Sequence, residues 1–486
     1  MASTLSEKLA DFIDSVRYED LPGETVRSAR LAFLDWLGSA ARGGLEAPAK
    51  MAAAVLRNQG GAPQSTLLPY PEKTSCLNAA LANGIASHIV ELDDVHRGSI
   101  LHAGAAILPA AFAAAEMVHA DGRRLIEAVV AGYEVAVRLG EAVSPSHYFF
   151  WHNTGTCGTF GSCAAAGKLL GLDRRQKVWA LGNAGTQAAG LWEFLRDGAM
   201  SKHLHPGKAA YNGLLAALLA KEGFTGAEAV IEGEKGFCRA MAPAFDLSKI
   251  TEGLGAPPYK IQENSFKIHA SCRHTHPAVD LVLDLSAKHG IDSREVLSVT
   301  VRTYRTALNI IRNPAPRTVF DARFSLPFCV ALALKRGRCG LSDFTRENLL
   351  DSEIRTLMSR VHLEPDEELD ALHPARWGAV VEIKTRSVGP FSARTDFPRG
   401  DPENPVDEET LVSKFRLLAL PAWGQDKVNA LSRTVLDLED LEDTALLFDP
   451  ASDRGPTRGF PAQSDRARRG STETDARPEP KSSTPN

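Results

Sequence analysis

Alanine-rich segments recur through the first 260 residues of this chain, and their apolar residues lie nearly all round a helical projection. A helix that is apolar on every side is stable in water when other helices surround it. The pattern therefore predicts a large helical core. The segments are residues 50–56, 105–119, 126–141, 162–170, 177–190 and 209–220.

The pattern changes after about residue 265, where apolar and polar residues begin to alternate. Leu297, Val299 and Val301 follow the period of two that is typical of a half-buried strand. The elements predicted there are strands at 297–303 and 377–386 and helices at about 325–336 and 345–361. A small α+β domain is therefore expected beside the helical one.

The predicted fold class is mainly α, a large all-helical domain with a smaller α+β lid. A helix after Asp407, with acids in its first turn, is expected to pack back on the helical part. The C-terminal end is rich in proline, serine and charge, which is typical of a disordered tail. The predicted divisions are 1–265 (helical), 266–400 (lid), 401–450 (return to the helical domain) and 451–486 (tail).

Composition and charge exclude several classes of protein. A net charge of −5 argues against nucleic acid or an anionic membrane as a partner. The seven cysteines form no Cys-x-x-Cys pair, so neither a disulfide framework nor a zinc or iron–sulfur site is expected. The N-terminus has no basic region before an apolar one, and no apolar run approaches the roughly 20 residues of a membrane span. A cytoplasmic location is expected.

Titratable side chains are concentrated in three windows, each beside a segment suited to burial. Buried charges carry a desolvation cost that pairing or function must offset, so these windows are the places to expect chemistry. Seven of the fourteen histidines fall within them. The windows are Glu91–His102, Ser201–Lys208 and Lys267–His276.

The first window contains three carboxylates and two histidines. Glu91 and Asp94 are three residues apart, which would place them on one helix face, while His96 and His102 would lie in the adjoining loop. An acid at a helix end with a histidine beside it is a workable acid/base pair, with Asp93 as a second acid. The alternative is a helix C-terminus with solvated charges.

The second window, with Lys202, His203, His205 and Lys208, precedes an apolar helix. Its cations and the backbone amides near Pro206 would converge on a carboxylate or phosphate. A basic surface loop is the alternative. His152 is a further candidate, for which a hydrogen-bonded core histidine is the equal alternative.

The third window contains a His-x-His pair, His274 and His276, after Arg273. On an extended backbone such a pair could present both rings to one metal ion. No His-x-x-x-His or His-x-x-Glu-His pattern occurs, however, so no metal site is expected. Arg273 offers the planar fork that suits a carboxylate ligand.

Together these segments resemble the MmgE/PrpD family, over about residues 5–445. The matching segments are Asp35–Gly38, Leu92–Asp94 with His102, Gly132–Glu134, Trp151–His152 with Thr154, His205–Ala210, Cys272–His276, Asp321–Ser325, and Asn404–Pro405 before Lys414–Phe415. The resemblance implies a helical domain with an α+β lid, a homodimer, no cofactor and an active site in the cleft between domains. The site positions that it implies are Asp93/Asp94, His102, His152, Lys202 and His276.

The chain departs from the family pattern at Glu91 and Val95, where members commonly have aspartate and threonine, and at Ala103, where a proline is usual. These departures, with His96, Arg97 and Ser99, look closer to the epimerase-like branch than to the methylcitrate enzymes.

The resulting hypothesis is a cofactor-independent lyase that removes a proton next to a carboxylate of a small polycarboxylate, most simply a 2-methylcitrate dehydratase-like hydro-lyase. His102 would be the principal acid/base, oriented by Asp93 or Asp94, with Lys202 or His152 handling the second proton. The expected substrate-binding residues are Glu91, His96, Lys208, Arg273, His274 and His276. Alternatives are an epimerase of an iminodisuccinate-like substrate, a cis-aconitate-type decarboxylase, a carboxylate-binding protein without activity and a metal-dependent hydrolase.

Overall fold

A computed structural model of the chain describes residues 3–448, and it is mainly α-helical with one four-stranded sheet. The expected tail, residues 451–486, lies outside the described residues. Within them no helix is long and apolar enough to cross a membrane.

The N-terminal part of the chain is helical, as the alanine-rich pattern predicts. Side-chain caps define several helix starts; Thr4, Asp121 and Asp173 each accept a hydrogen bond from the first turn that they precede. The helices are α1 (Leu5–Ser15), α2 (Gly23–Gly43), α3 (Ala47–Gln59), α4 (Cys76–His88), α5 (Ala103–Met117), α6 (Gly122–Val143), α7 (Asn153–Leu169), α8 (Arg174–Gly185), α9 (Phe194–Asp197), α10 (Ser201–Lys221), α11 (Phe237–Met241) and α12 (Ser248–Thr251).

Three short strands accompany these helices, and a fourth follows them. Strands β1 (Ser65–Thr66) and β2 (Lys73–Thr74) form one antiparallel pair. Strands β3 (Val95–His96) and β4 (Asn264–Ser265) form another, which ties the first acidic window to the segment that enters the lid.

The lid contains the α+β pattern expected after residue 265. Its helices are α13 (His276–His289), α14 (Arg305–Ile311), α15 (Val319–Ala322), α16 (Leu326–Arg336), α17 (Arg346–Leu350), α18 (Ser352–Met358) and α19 (Glu367–Leu372). Its strands are β5 (Val296–Thr303), β6 (Val361–Pro365), β7 (Ala379–Thr385) and β8 (Phe391–Thr395), in the order β6-β5-β7-β8. Only the β5–β6 pair is parallel among these described strands.

One lid expectation is wrong. Residues 345–361, predicted as a single helix, are two short helices followed by the start of β6. The break lies at Asp351, which has an extended backbone and whose carboxylate caps α18 by accepting from the amides of Glu353 and Ile354. Aspartate at such a position stabilises a new helix start rather than continuation of the old helix.

The last helix, α20 (Glu408–Leu436), returns to the helical domain and packs on α2. Asp407 caps it, and Val412, Phe415 and Ala419 join the helical hydrophobic core. A Cβ at Gly38 would lie 3.2 Å from the ring of Phe415, so α2 needs a small residue at this crossing. The chain then kinks at Gly424, whose φ is 73°.

The loop between α4 and α5 lies where the two hydrophobic cores meet. Val90, Leu92 and Val95 are buried in the lid's core, although the helices on either side belong to the helical core. The polar residues between them are therefore held at the boundary of the two domains, without access to bulk water.

Candidate active site

The loop after α4 is irregular, and its acids do not share a helix face as predicted. Helix α4 ends at His88, and Glu91 has a left-handed backbone with φ of 57°. For a residue with a Cβ this conformation costs on the order of 1 kcal/mol or more. The turn is maintained because Val90 and Leu92 are buried in the lid's core while the side chain of Glu91 pairs with Lys202 and Lys267.

The carboxylate of Asp93 contacts two histidines, His88 and His102. Its Oδ2 atom lies 2.7 Å from His88 Nδ1 and 3.0 Å from His102 Nδ1, and its Oδ1 lies 3.6 Å from the Nζ of Lys267. Burial opposes ionisation of Asp93, but the attraction of His88, Lys267 and His102 outweighs it and holds its pKa well below the usual value. Asp93 is therefore a buried carboxylate anion.

One ring nitrogen of His102 is hydrogen-bonded, and the other is not. Its Nδ1 lies 2.8 Å from the backbone oxygen of Asp94, which can only accept, so Nδ1 carries the proton. Burial lowers the pKa of His102 to about 4 despite the opposing effect of Asp93. Around neutral pH the ring is thus uncharged, and its Nε2, which has no hydrogen-bond partner among residues 3–448, is a free base at the N-terminus of α5.

Two lysines share Glu91. The Nζ of Lys202 pairs with Glu91 Oε1, and the Nζ of Lys267 lies 3.3 Å from Oε2. All three side chains are at most 2% exposed. Burial would raise the pKa of Glu91, but the two ammonium groups hold it far below its usual value. Likewise, Asp93 and Glu91 raise the pKa of Lys267 although burial disfavours its charge.

Glu91, Asp93, His88, His102, Lys202 and Lys267 form one charged cluster. Asp94 fixes the loop and does not face this cluster. Its carboxylate accepts from the Tyr133 hydroxyl at 2.5 Å, from Asn264 Nδ2 at 2.6 Å and from the Gly104 amide at 2.9 Å. Burial, together with the nearby charges of Asp35 and Asp93, raises its pKa to about 7. Asp94 therefore acts through position, by attaching the loop to α5, α6 and β4.

A second histidine pair lies against the first. His152 Nδ1 is 3.1 Å from His205 Nδ1, and the His152 ring is 5.6 Å from that of His88 and 6.2 Å from that of His102. Burial holds the pKa of His152 well below its usual value and lowers that of His205 to about 4. The rings of His88, His102, His152 and His205 thus lie together on one side of the site.

The second window is helical, so it is not the basic surface loop that was one alternative, and the amides near Pro206 do not precede a helix as the other alternative required. Residues 201–208 form the first turns of α10, with Pro206 inside the helix. A Cβ at Gly84 would lie 2.6 Å from the Cα of Gly207, so α4 and α10 cross closely there. This crossing places His88 beside the turn of α10 that carries Lys202 and His205.

Lys208 and His96 make no bond to the cluster. The Nζ of Lys208 lies 3.5 Å from the Gln187 oxygen. His96 Nδ1 accepts from the Ser99 amide at 3.1 Å, and its Nε2 faces Glu263 at 3.4 Å, in a separate cleft of about 710 Å³. Their role in binding a substrate stays a prediction from the sequence.

The residues of the third window have their own partners outside the cluster. Arg273 pairs with Asp401, His274 Nδ1 lies 2.5 Å from the Tyr304 hydroxyl, and His276 Nε2 lies 3.3 Å from the Ser271 oxygen. The backbone of residues 273–275 is a 3₁₀ turn, not the extended segment that joint metal ligation was expected to use. None of the three residues bonds to the cluster.

Sequence reasoning missed His88 and Lys267, which contact the cluster directly. Lys267 opens the third window and lies between apolar Phe266 and Ile268, and a lysine in such surroundings was the available signal. His88 had no signal of its own, since it ends an otherwise alanine-rich helix.

Ligand atoms of His88, Asp93 and His102 lie within 4.8 Å of one another, a spacing that could hold a metal ion. The residues fit a metal poorly. The Nδ1 proton of His102 is already donated to a carbonyl, and the ammonium of Lys267, 3.6 Å from Asp93 Oδ1, would repel a divalent cation.

A cleft of about 1120 Å³ between α9 and residues 309–324 reaches the edge of the cluster. Two aromatic residues separate this cleft from the cluster. Trp192 packs on His152 at 5.0 Å between ring centroids, and the ring of Phe324 lies 4.6 Å from the Nζ of Lys202. Arginines 196, 312 and 317 line this cleft together with the carboxylates of Asp197 and Asp321.

Comparison with known proteins identifies the family of this chain. The MmgE/PrpD N-terminal domain matches residues 7–249, and the MmgE/PrpD C-terminal domain matches residues 269–440. The chain belongs to the MmgE/PrpD family. Its relatives include the cis-aconitate decarboxylase of Aspergillus terreus, 27% identical over 479 residues, which cover 92% of this chain and 96% of the relative. The cis-aconitate decarboxylase of Homo sapiens is 27% identical over 92% of this chain and 94% of its own length.

Proposed function

We propose that this protein is a lyase that moves a proton on the carbon next to a carboxylate of a small polycarboxylate. The observation that carries this proposal is the neutral His102, which has a free Nε2 and whose Nδ1 is held by the Asp93 anion and the Asp94 carbonyl. The ammonium of Lys267 lies 3.6 Å from the same Asp93 carboxylate and shares Glu91 with Lys202. Family membership and the decarboxylase relatives support an enzyme of this class.

The residues have complementary roles in a proton abstraction. His102 Nε2 takes the proton, and Asp93 stabilises the imidazolium that results. Lys202 and Lys267 stabilise the negative charge that develops on the substrate carboxylate, in a site from which water is excluded. When hydroxide leaves from the neighbouring carbon, Lys202 donates the proton that it needs. This sequence is the dehydration of a 2-methylcitrate-like hydroxy acid, and reprotonation on the other face would make the enzyme an epimerase.

Decarboxylation is the second candidate, and the names of the relatives favour it. In that reaction the carbon–carboxylate bond breaks first, carbon dioxide leaves, and the electron pair stays on the substrate. Lys202 or Lys267 then supplies a proton to the carbon. The same cluster serves, with a lysine in place of His102 as the first proton-transfer group.

The test is incubation in D₂O with citrate, 2-methylcitrate, cis-aconitate and iminodisuccinate, one at a time, followed by proton NMR. New vinyl signals from a hydroxy acid would identify a dehydratase, and loss of carbon dioxide from cis-aconitate would identify a decarboxylase. Deuterium at the α-carbon without loss of substrate would identify an epimerase. No change with any of the four would overturn the proposal and favour a carboxylate-binding protein.

A further inference from the structure

Glu91 occupies the position between the two site lysines. Its two carboxylate oxygens are divided between them, with Oε1 on Lys202 and Oε2 on Lys267. The ring of Phe324 covers Lys202 on one side, and both lysines are almost inaccessible to solvent. A carboxylate that bridges the same two ammonium groups must therefore take the place that Glu91 holds.

We propose that Glu91 is an exchangeable internal carboxylate, which a ligand carboxylate displaces from Lys202 and Lys267. This inference rests on the proposed function only for the chemistry of the ligand, a small di- or tricarboxylate. It makes Glu91 a determinant of affinity, because each ligand must compete with a carboxylate that is already in place.

The loop allows this exchange without unfolding. Val90 and Leu92 are buried in the lid's core, so the backbone on both sides of Glu91 is fixed. The Glu91 side chain has three rotatable bonds, and its polar contacts are the two lysines alone among the described residues. Its departure therefore costs those two contacts, and the incoming carboxylate restores both.

Exchange should change the protonation state of Glu91. The two ammonium groups keep the Glu91 carboxylate ionised. After displacement the side chain has lost both, remains in surroundings of low polarity and lies near the negative ligand, and each change raises its pKa. Glu91 then takes one proton from solvent. One ligand carboxylate replaces that of Glu91 at the lysines, and the proton that Glu91 takes up offsets one of the negative charges that the ligand brings.

Oxalate, whose two carboxylates are both ionised at pH 7, is the probe. We would titrate it into the full-length protein by calorimetry in several buffers of different ionisation enthalpy, which gives the number of protons taken up. The wild type should take up close to one proton per oxalate. In E91Q that uptake should be lost, and oxalate should bind about 10-fold more tightly, because no carboxylate competes.

E116Q is the matched control. Glu116 is also about 1% exposed and paired with a lysine, Lys73 at 3.4 Å, but it lies at the far end of α5. E116Q should leave both affinity and proton uptake at the wild-type values. If E91Q does not fold, the proton count of the wild type decides alone.

Equal or weaker oxalate binding by E91Q, or no proton uptake by the wild type, would overturn the exchange. Failure of oxalate to bind either protein would also overturn it, because the lysine pair would then not accept a carboxylate. The outcome is separate from turnover. Proton-linked binding of oxalate with no reaction in the NMR experiment would leave the exchange intact and remove the proposed lyase.

Discussion

Two segments of this molecule contain His-x-His, and the structure uses them differently. His203 and His205 lie on α10 beside Lys202, and His205 bonds to His152, whose ring lies 5.6 Å from that of His88. His274 and His276 lie at the start of α13, and their polar partners are lid residues. The comparison shows that the neighbours, and not the motif, decide the role. Near α10 the two lysines share the single carboxylate of Glu91, and Nε2 of His102 has no hydrogen-bond partner among the described residues. In the lid each of the two histidines already has a structural partner.

The largest effect on stability is expected in the lid. Arg273→Met leaves Asp401 without one of its two buried partners, and breaking a buried ion pair costs about 3–5 kcal/mol. Urea denaturation should show this loss, while turnover per folded molecule stays near the wild-type value. Arg294→Met, at an exposed pair with Asp292, is the control and should cost less than about 1 kcal/mol. A selective loss of turnover in Arg273→Met would place Arg273 in the active site.

Acid should destabilise the site region. Burial lowers the pKa of both His102 and His205 to about 4, so below pH 6.5 the unfolded chain binds protons that the folded chain does not. Stability is therefore fully present above about pH 6.5 and falls as the pH approaches 4, by roughly 1–2 kcal/mol per histidine at pH 5. Asp94, whose pKa is raised to about 7, has the opposite sign, as do Asp35, Glu116 and Glu134, whose pKa values burial raises. Histidines whose pKa values burial lowers are more numerous among the described residues.

Urea midpoints at pH 7.5 and pH 5 measure this loss. His205→Asn should reduce the difference between the two midpoints, and His119→Asn, whose side chain is 71% exposed, should not. Equal midpoints at both pH values in the wild type would contradict the burial of neutral histidines.

Substitution of His88 should lower kcat moderately and leave KM nearly unchanged. His88→Gln removes one of the two histidines that hold Asp93, so Asp93 orients His102 less well. We expect kcat to fall about 10-fold with little change in KM, since His88 reaches the ligand only through Asp93. His147→Gln is the control, because that buried histidine bonds to Thr156 and the Met241 oxygen outside the cluster. A change confined to KM would instead indicate that His88 touches the ligand.

The smallest effect is expected at Lys208. Its ammonium lies 3.5 Å from a backbone oxygen and bonds to no group of the cluster, so Lys208→Met should change KM by less than about 2-fold. Lys202→Met, by contrast, should abolish turnover. A large rise in KM in Lys208→Met would restore the sequence-based prediction that it anchors a carboxylate.

The sequence predicts the fold class well and the site in part. Alanine-rich periodicity is a local property, and it leads directly to α5, α6, α7 and α10. The three windows correctly mark where charge is buried, because apolar neighbours reveal burial. The partners of these buried charges, by contrast, are distant in the sequence. Nothing near Arg273 shows that Asp401, 128 residues later, neutralises it, and nothing near Glu91 shows that Lys202 and Lys267 meet it.

The backbone conformation of the loop after α4 was also not predictable from the sequence. A helical reading placed Glu91 and Asp94 on one face, but burial of Val90 and Leu92 in the lid's core imposes a left-handed turn at Glu91. The resemblance to the family supplied Lys202 and His152, which local pattern left balanced between functional and structural roles. His88 and Lys267 required the structure, because only tertiary packing brings the ends of α4 and β4 together.

The most direct test of the difference between the two segments is a matched pair of His→Asn variants. Deuterium entry at the α-carbon, or turnover of the substrate that NMR identifies, would be measured for His102→Asn and His274→Asn at equal folded concentration. The account predicts a loss of about 10²–10⁴-fold for His102→Asn and a change within about 3-fold for His274→Asn. Full activity in His102→Asn, with activity lost in His274→Asn, would contradict it and move the chemistry to the lid.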